Sequence, residues 1–173
     1  ASLFQDSAGT TPAAADGDPI GRAGRVATNL ATQATTGNKP TLKLNIQNGL
    51  PVIRFDADDI LSLSNLAFTR NIASISAFFV GSYPDATAQH IVFFNSTGTS
   101  TGAGRVNFGA RLLEGETWGV GGRRLDADAF ASVAVTTGDV TGKIIQSGIL
   151  DYANSRGELW INGQSAAVNE AFQ

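Results

Sequence analysis

The feature that most restricts this chain is the rhythm of its apolar residues, which come in short alternating runs separated by glycine- or asparagine-bearing turns. Residues 105–112 are the clearest case: Val106, Phe108, Ala110 and Leu112 share one parity, and Arg105, Asn107, Gly109 and Arg111 the other. Side chains along a strand point alternately to its two faces, so such a run has one dry and one wet face only as a strand. The same rhythm sets in at Thr41, where Leu42, Leu44 and Ile46 alternate with Lys43 and Asn45 up to the hairpin dipeptide Asn48-Gly49.

Further strands are predicted at residues 51–55 and 60–63, with the acidic loop Asp56-Ala57-Asp58-Asp59 between them. Residues 75–80 are apolar on both parities, which predicts a central strand covered on both sides. Residues 91–94 follow the Tyr83-Pro84-Asp85 turn, and 95–104 read as a Ser/Thr/Gly loop. The series closes with 118–124, 130–135, 144–152 and 158–161, the last ending at a second Asn-Gly pair, Asn162-Gly163. Strands at intervals of about 8–14 residues and no fixed repeat predict an all-β fold, a two-sheet antiparallel jelly-roll sandwich.

Size agrees with one core: 173 residues are expected to form a single domain over 1–173. Residues 1–40 hold few large apolar groups and form a loop-rich leading segment, with turn signals at Asp16-Gly17-Asp18-Pro19 and Gly37-Asn38-Lys39-Pro40. The alanines at 13–15 and within 23–34 lack a helical apolar stripe, so no helix is expected there.

Charge and composition remove several functions. A net charge of −3, with lysines and arginines scattered apart from Arg123-Arg124, offers no basic stripe for nucleic acid. No apolar run approaches the roughly 18 residues of a membrane span, so no membrane insertion is expected. Without cysteine, disulfides and thiolate metal sites are impossible.

Catalytic constellations are equally sparse. His90 is the sole histidine and no Gly-x-Ser-x-Gly elbow accompanies it, so it reads as a surface or turn residue. Glycosidase chemistry needs two carboxylates flanking a scissile bond. Glu114 and Glu116 come closest, but Gly115 between them suits a hairpin loop. Asp56, Asp58 and Asp59 offer hard oxygen ligands of the kind Ca²⁺ takes, against the simpler reading of a solvated turn.

Sugar recognition asks for an aromatic platform rimmed by amides, carboxylates or guanidinium groups. Trp118, Arg123, Arg124 and Asp126 carry that chemistry close together in sequence, and so do Tyr152, Trp160 and Asn162. Alternation puts Trp160 on the face of Glu158 and Asn162, opposite Leu159 and Ile161. Of the two tryptophans, one is expected in the core.

Several stretches resemble a known family. They are Leu3-Phe4-Gln5-Asp6-Ser7-Ala8-Gly9-Thr10-Thr11-Pro12, Asp16-Gly17-Asp18-Pro19-Ile20-Gly21, Ala31-Thr32-Gln33 and Lys39-Pro40-Thr41, with Asn48-Gly49-Leu50-Pro51-Val52-Ile53-Arg54-Phe55-Asp56 and Leu159-Trp160-Ile161-Asn162-Gly163. Together they resemble the laminin-G-like, concanavalin A-like domains of bacteriophage virion and tail proteins. The acidic loop is one residue shorter than that family's pattern, and residues 22–29 replace its Ser-Gly-Asn-Gly-Asn loop. Related domains have further strands at both ends, so sheet edges here are expected to pair with other virion proteins or copies of this chain. The resemblance implies a non-catalytic, lectin-like structural protein on the virion, decorating capsid, tail or fibre and contacting host-surface glycans. A purely structural assembly module and a polysaccharide-active enzyme or its binding module are the alternatives.

Overall fold

A computed structural model of the chain describes residues 2–24, 30–56, 58–63, 69, 71–83, 90–96, 104–110, 117–125, 127–136 and 142–172, with the backbone alone for 83, 90–96, 104–110 and 117. The protein is all-β and its sheets are antiparallel. It divides into two compact units, Ala1–Asn65 and Leu66–Gln173.

In the first unit, β1 (Ser2–Phe4), β2 (Arg22–Gly24), β3 (Ala31–Thr32) and β6 (Ser62–Leu63) form one small sheet in that order. A 3-10 turn, Thr36–Asn38, precedes the hairpin of β4 (Thr41–Gln47) and β5 (Leu50–Arg54). The loops of residues 1–40 are tied down by carboxylates. Asp6 accepts hydrogen bonds from the backbone N–H groups of Gly9 (2.6 Å), Thr10 (3.1 Å) and Thr11 (2.7 Å), and Asp18 from those of Ala14 and Ala15 (both 2.8 Å). The backbone N–H groups of Thr10 and then Thr11 hold the Asp6 carboxyl far below the usual carboxylate range. Ile20 and Leu42 are buried between these loops and the hairpin.

The alternation expected along β4 fails halfway. Its pairing with β5 jumps from Lys43↔Val52 to Gln47↔Leu50, so residues 44–46 face Pro51 alone, and Asn45 takes φ +56°. Pro51 has no N–H to donate to a ladder, and a bulge is the usual accommodation. Its consequence is that Ile46, expected inside with Leu42, is half exposed.

The second unit is a two-sheet sandwich. One sheet runs β11 (Ala131–Thr136), β10 (Thr117–Gly122), β9 (Gly104–Ala110), β8 (His90–Ser96); the other runs β14 (Gln164–Asn169), β13 (Arg156–Ile161), β12 (Gly142–Asp151), β7 (Ser74–Tyr83). Each sheet pairs strands in chain order, with β8 to β11 inserted between β7 and β12. The described strands therefore form meanders, and the interlocked Greek keys of a jelly roll are not found among them.

Trp118, Val120 and Val133 from one sheet meet Ile144, Leu150 and Leu159 from the other, with Tyr152 and Phe172 closing one side. The sheets approach closely because two glycines face side chains across the gap. Gly148 lies under Val120, and Gly157 under Val133 and Phe172. A buried amide in that layer, Gln146, donates to the carbonyl of Gly119 at 3.3 Å, tying the two sheets with a polar contact.

Candidate docking face

Strand β12 alternates cleanly. Ile144, Gln146, Gly148 and Leu150 point into the sandwich, so Lys143, Ile145, Ser147, Ile149 and Asp151 line the outer face. The register carries that face across the sheet. Ser147 sits between Phe78 of β7 and Trp160 of β13, and Trp160 pairs with Ser165 of β14; Ile145 pairs with Val80, and Ile149 lies between Ser76 and Glu158.

This face is apolar and open. Phe78 is 76% exposed, Val80 72%, Ile145 52% and Val168 44%. Residues 75–80 are thus not a strand covered on both sides, as their sequence suggested. Ile75, Ala77 and Phe79 pack on the core, and Phe78 and Val80, of the other parity, face outward; among the described strands β7 also borders its sheet. Large exposed apolar groups gathered on one surface mark an interaction site, whereas scattered ones do not. Strand β7 itself reads SISAFFVGSY, without the charge or proline that usually blunts an open strand.

The two ends of the face carry opposite charge. Lys143 stands exposed at the Gly142 end of β12. At the other end lie Asp151, Glu158 and Glu170 against a single cation, Arg156, which bonds Glu158 at 2.6 Å and Glu170 at 3.4 Å. Three carboxylates against one guanidinium leave that end at −2. The side-chain amide and then the backbone N–H of Asn154 hold the Asp151 carboxyl below the usual range, so it is ionised at neutral pH.

The residues proposed from sequence for sugar contact do not come together as one site. Trp118 is 2% exposed and belongs to the core beside Val120, because alternation in β10 turns both against the opposite sheet; it is unavailable for stacking on a ligand. Tyr152 is buried, its ring 5.5 Å from that of Phe172. It does border a shallow depression of about 310 Å³ with the exposed Arg124, Ala129 and Ser155 and the half-buried Asp128. Arg123 is half-buried beside it in sequence, and Asp126 lies outside the described residues.

Trp160 stands apart from these, on the outer face with Glu158, as its parity predicted. Asn162 is a hinge of the β13–β14 turn: it and Gly163 take φ +52° and +78°, and its Oδ1 accepts the N–H of Ile145 at 2.9 Å. Both positive φ values are what a two-residue Asn-Gly hairpin needs.

In the acidic loop, Asp59 accepts the N–H of Asp56 and Asp58 accepts the side-chain amide of Asn38, both at 2.8 Å, so one carboxylate closes the loop and another ties it to the 3-10 turn. No group of three or more metal-capable side chains gathers among the described residues. Glu114 and Glu116 lie outside the described residues, and of His90 only the backbone, opening β8, is described.

Comparison with known proteins finds nothing to add by descent: no family model, no curated protein and no solved structure matches this chain. The residues that sequence reasoning missed are Phe78, Val80 and Ile145. Their signal was present in the doubled apolar pairs Phe78-Phe79 and Ile144-Ile145, which alternation cannot place on one face.

Proposed function

We propose that this chain is a non-catalytic structural protein of a bacteriophage particle, a β-sandwich module of capsid, tail or fibre that works by docking. The observation that carries the docking reading is the outer face of β7, β12, β13 and β14, where Phe78, Val80 and Ile145 are each more than half exposed on one continuous sheet surface. Exposing three large apolar side chains together forgoes about 1.5–3 kcal/mol of burial for each, a loss that a partner recovers by covering them. The resemblance of the leading segment and the two Asn-Gly hairpins to laminin-G-like virion domains supports the placement on a phage particle. The engagement of Glu158 with Arg156 supports a structural role for that carboxylate.

A second reading, host-glycan binding, has its own support. Phe78 and Trp160 lie in one cross-strand row with Ser147 between them, two strand spacings or about 10 Å apart. That separation spans two sugar rings of an extended chain, and serine hydroxyls lie along the row.

Three measurements on the intact chain separate the readings. Docking predicts concentration-dependent association that the pair Phe78→Ser with Val80→Ser removes, with the unfolding midpoint preserved. A glycan-array signal removed by Trp160→Ala would favour the lectin. Release of reducing ends from a polysaccharide would refute the non-catalytic assignment.

A further inference from the structure

The partner that best fits this face is a second copy of the same chain. We infer that two copies associate through their β7–β12–β13–β14 faces about a two-fold axis running along the Phe78–Ser147–Trp160 row. This rests on the docking reading and names its occupant.

Three features support it. The first is charge. A two-fold along that row reverses strand direction, so Lys143 of one copy lies over Asp151 of the other, four positions from Ser147 on either side. The positive end of each face then meets the net −2 end of its partner, twice over by symmetry. An axis parallel to the strands would instead set like-charged ends over each other.

The second is apolar registry. The same axis places Ile145 over Ile149, and Phe78 and Trp160 each over its own counterpart, so that the Phe78–Ser147–Trp160 row at the centre carries no charge and Glu158, beside Ile149, is neutralised by Arg156. Depletion of charge at the centre with aromatic residues present is the composition of an interface core.

The third is area. Four strands at about 4.8 Å spacing and about eight residues at 3.3 Å give roughly 500 Å² per copy, about 1,000 Å² in all. That is the lower bound of specific interfaces, so the dimer is weak and reversible, with a Kd on the order of micromolar.

The chain has no cysteine, so a single introduced thiol reports on one position alone. Ser147→Cys lies on the proposed axis, and Ser82→Cys lies on the outer face near one end, paired with Lys143. The two Ser147→Cys thiols would face each other across about 10 Å of packed sheets. Those of Ser82→Cys would stand roughly 26 Å apart along the strands.

A short bismaleimide is expected to link Ser147→Cys chains into dimers and to leave Ser82→Cys chains unlinked. Sedimentation of the unmodified chain should show a reversible dimer weakened by salt, and Lys143→Glu should weaken it about tenfold or more. The pair Phe78→Ser with Val80→Ser, checked for an unchanged circular dichroism spectrum, should be monomeric.

Efficient linking through Ser82→Cys overturns the proposed geometry while leaving a docking module, and a dimer indifferent to Phe78→Ser with Val80→Ser overturns this face as the docking site as well. A chain that stays monomeric and gives a Trp160-dependent glycan signal overturns self-association and leaves the lectin. A monomer with neither property overturns both readings.

Discussion

Gly148 is the point at which the two sheets of the sandwich can be tested most directly. A Cβ built there lies 2.9 Å from Val120 Cβ, 3.0 Å from its Cγ1 and 3.1 Å from its Cγ2, whereas carbon atoms prefer about 3.5–4.0 Å. The methyl of Gly148→Ala must therefore push the sheets apart by roughly 0.7 Å. Val120 is branched at Cβ and buried against Trp118, so it cannot swing aside.

Overpacking of this kind costs about 1–3 kcal/mol, and the lower chain entropy of alanine offsets about 0.5–1 kcal/mol of it. Net destabilisation of about 1–2 kcal/mol is expected. Val120→Ala alone should cost about 2 kcal/mol through lost burial and the cavity left behind. In the double variant the new methyl enters the space vacated by the old ones, so the two losses should fall short of additivity by at least 1 kcal/mol. Urea unfolding followed by the fluorescence of buried Trp118 measures all three. Additivity within about 0.5 kcal/mol would refute the direct contact between β12 and β10.

Other expectations concern the loops and turns. The Asp6 carboxyl titrates far lower folded than unfolded, so its stabilisation is fully present above the ordinary carboxyl value of 3.8 and is lost as pH falls through the folded value. Asp6→Asn should flatten the acid limb of stability below about pH 4, seen by following the Gly9, Thr10 and Thr11 amide resonances; an unchanged acid limb would count against the role of Asp6. Gly163→Ala should cost about 1 kcal/mol, because an L-residue is strained in the left-handed region that Gly163 occupies at φ +78°; an equal effect at Gly37, where φ is not in that region, would remove the reasoning. Leu159→Ala, at a fully buried position between the sheets, should cost about 3–5 kcal/mol in thermal or urea unfolding, and a loss below 1 kcal/mol would contradict its place in the core.

Periodicity and turn chemistry, read from the sequence alone, located the two Asn-Gly hairpins and most described strands after residue 40, whereas the short strands β1, β2 and β3 lie in the segment read as loop-rich. The 41–46 alternation and Asn48-Gly49 became the β4–β5 hairpin, and Asn162-Gly163 the β13–β14 hairpin, because backbone hydrogen bonding and positive φ are satisfied within a few residues. Trp160 was likewise placed correctly by parity. What neighbouring residues could not decide was which face of a strand is covered. Residues 75–80 look like a central strand because both parities are apolar, yet β7 borders its sheet among the described strands, and only packing against the buried cluster of the sandwich selects Phe79 for the core and leaves Phe78 and Val80 outside.

The same long-range choice took Trp118 inward, away from the sugar site its neighbours suggested, whereas the β4 alternation broke locally, opposite Pro51. It also gathered Lys143 and Asp151 onto one face with opposite charge at its two ends, eight residues apart in the chain but given meaning only by the strands beside them. Local backbone preference is written residue by residue. Burial is a property of the partner surface, and that surface exists only once the strands have come together.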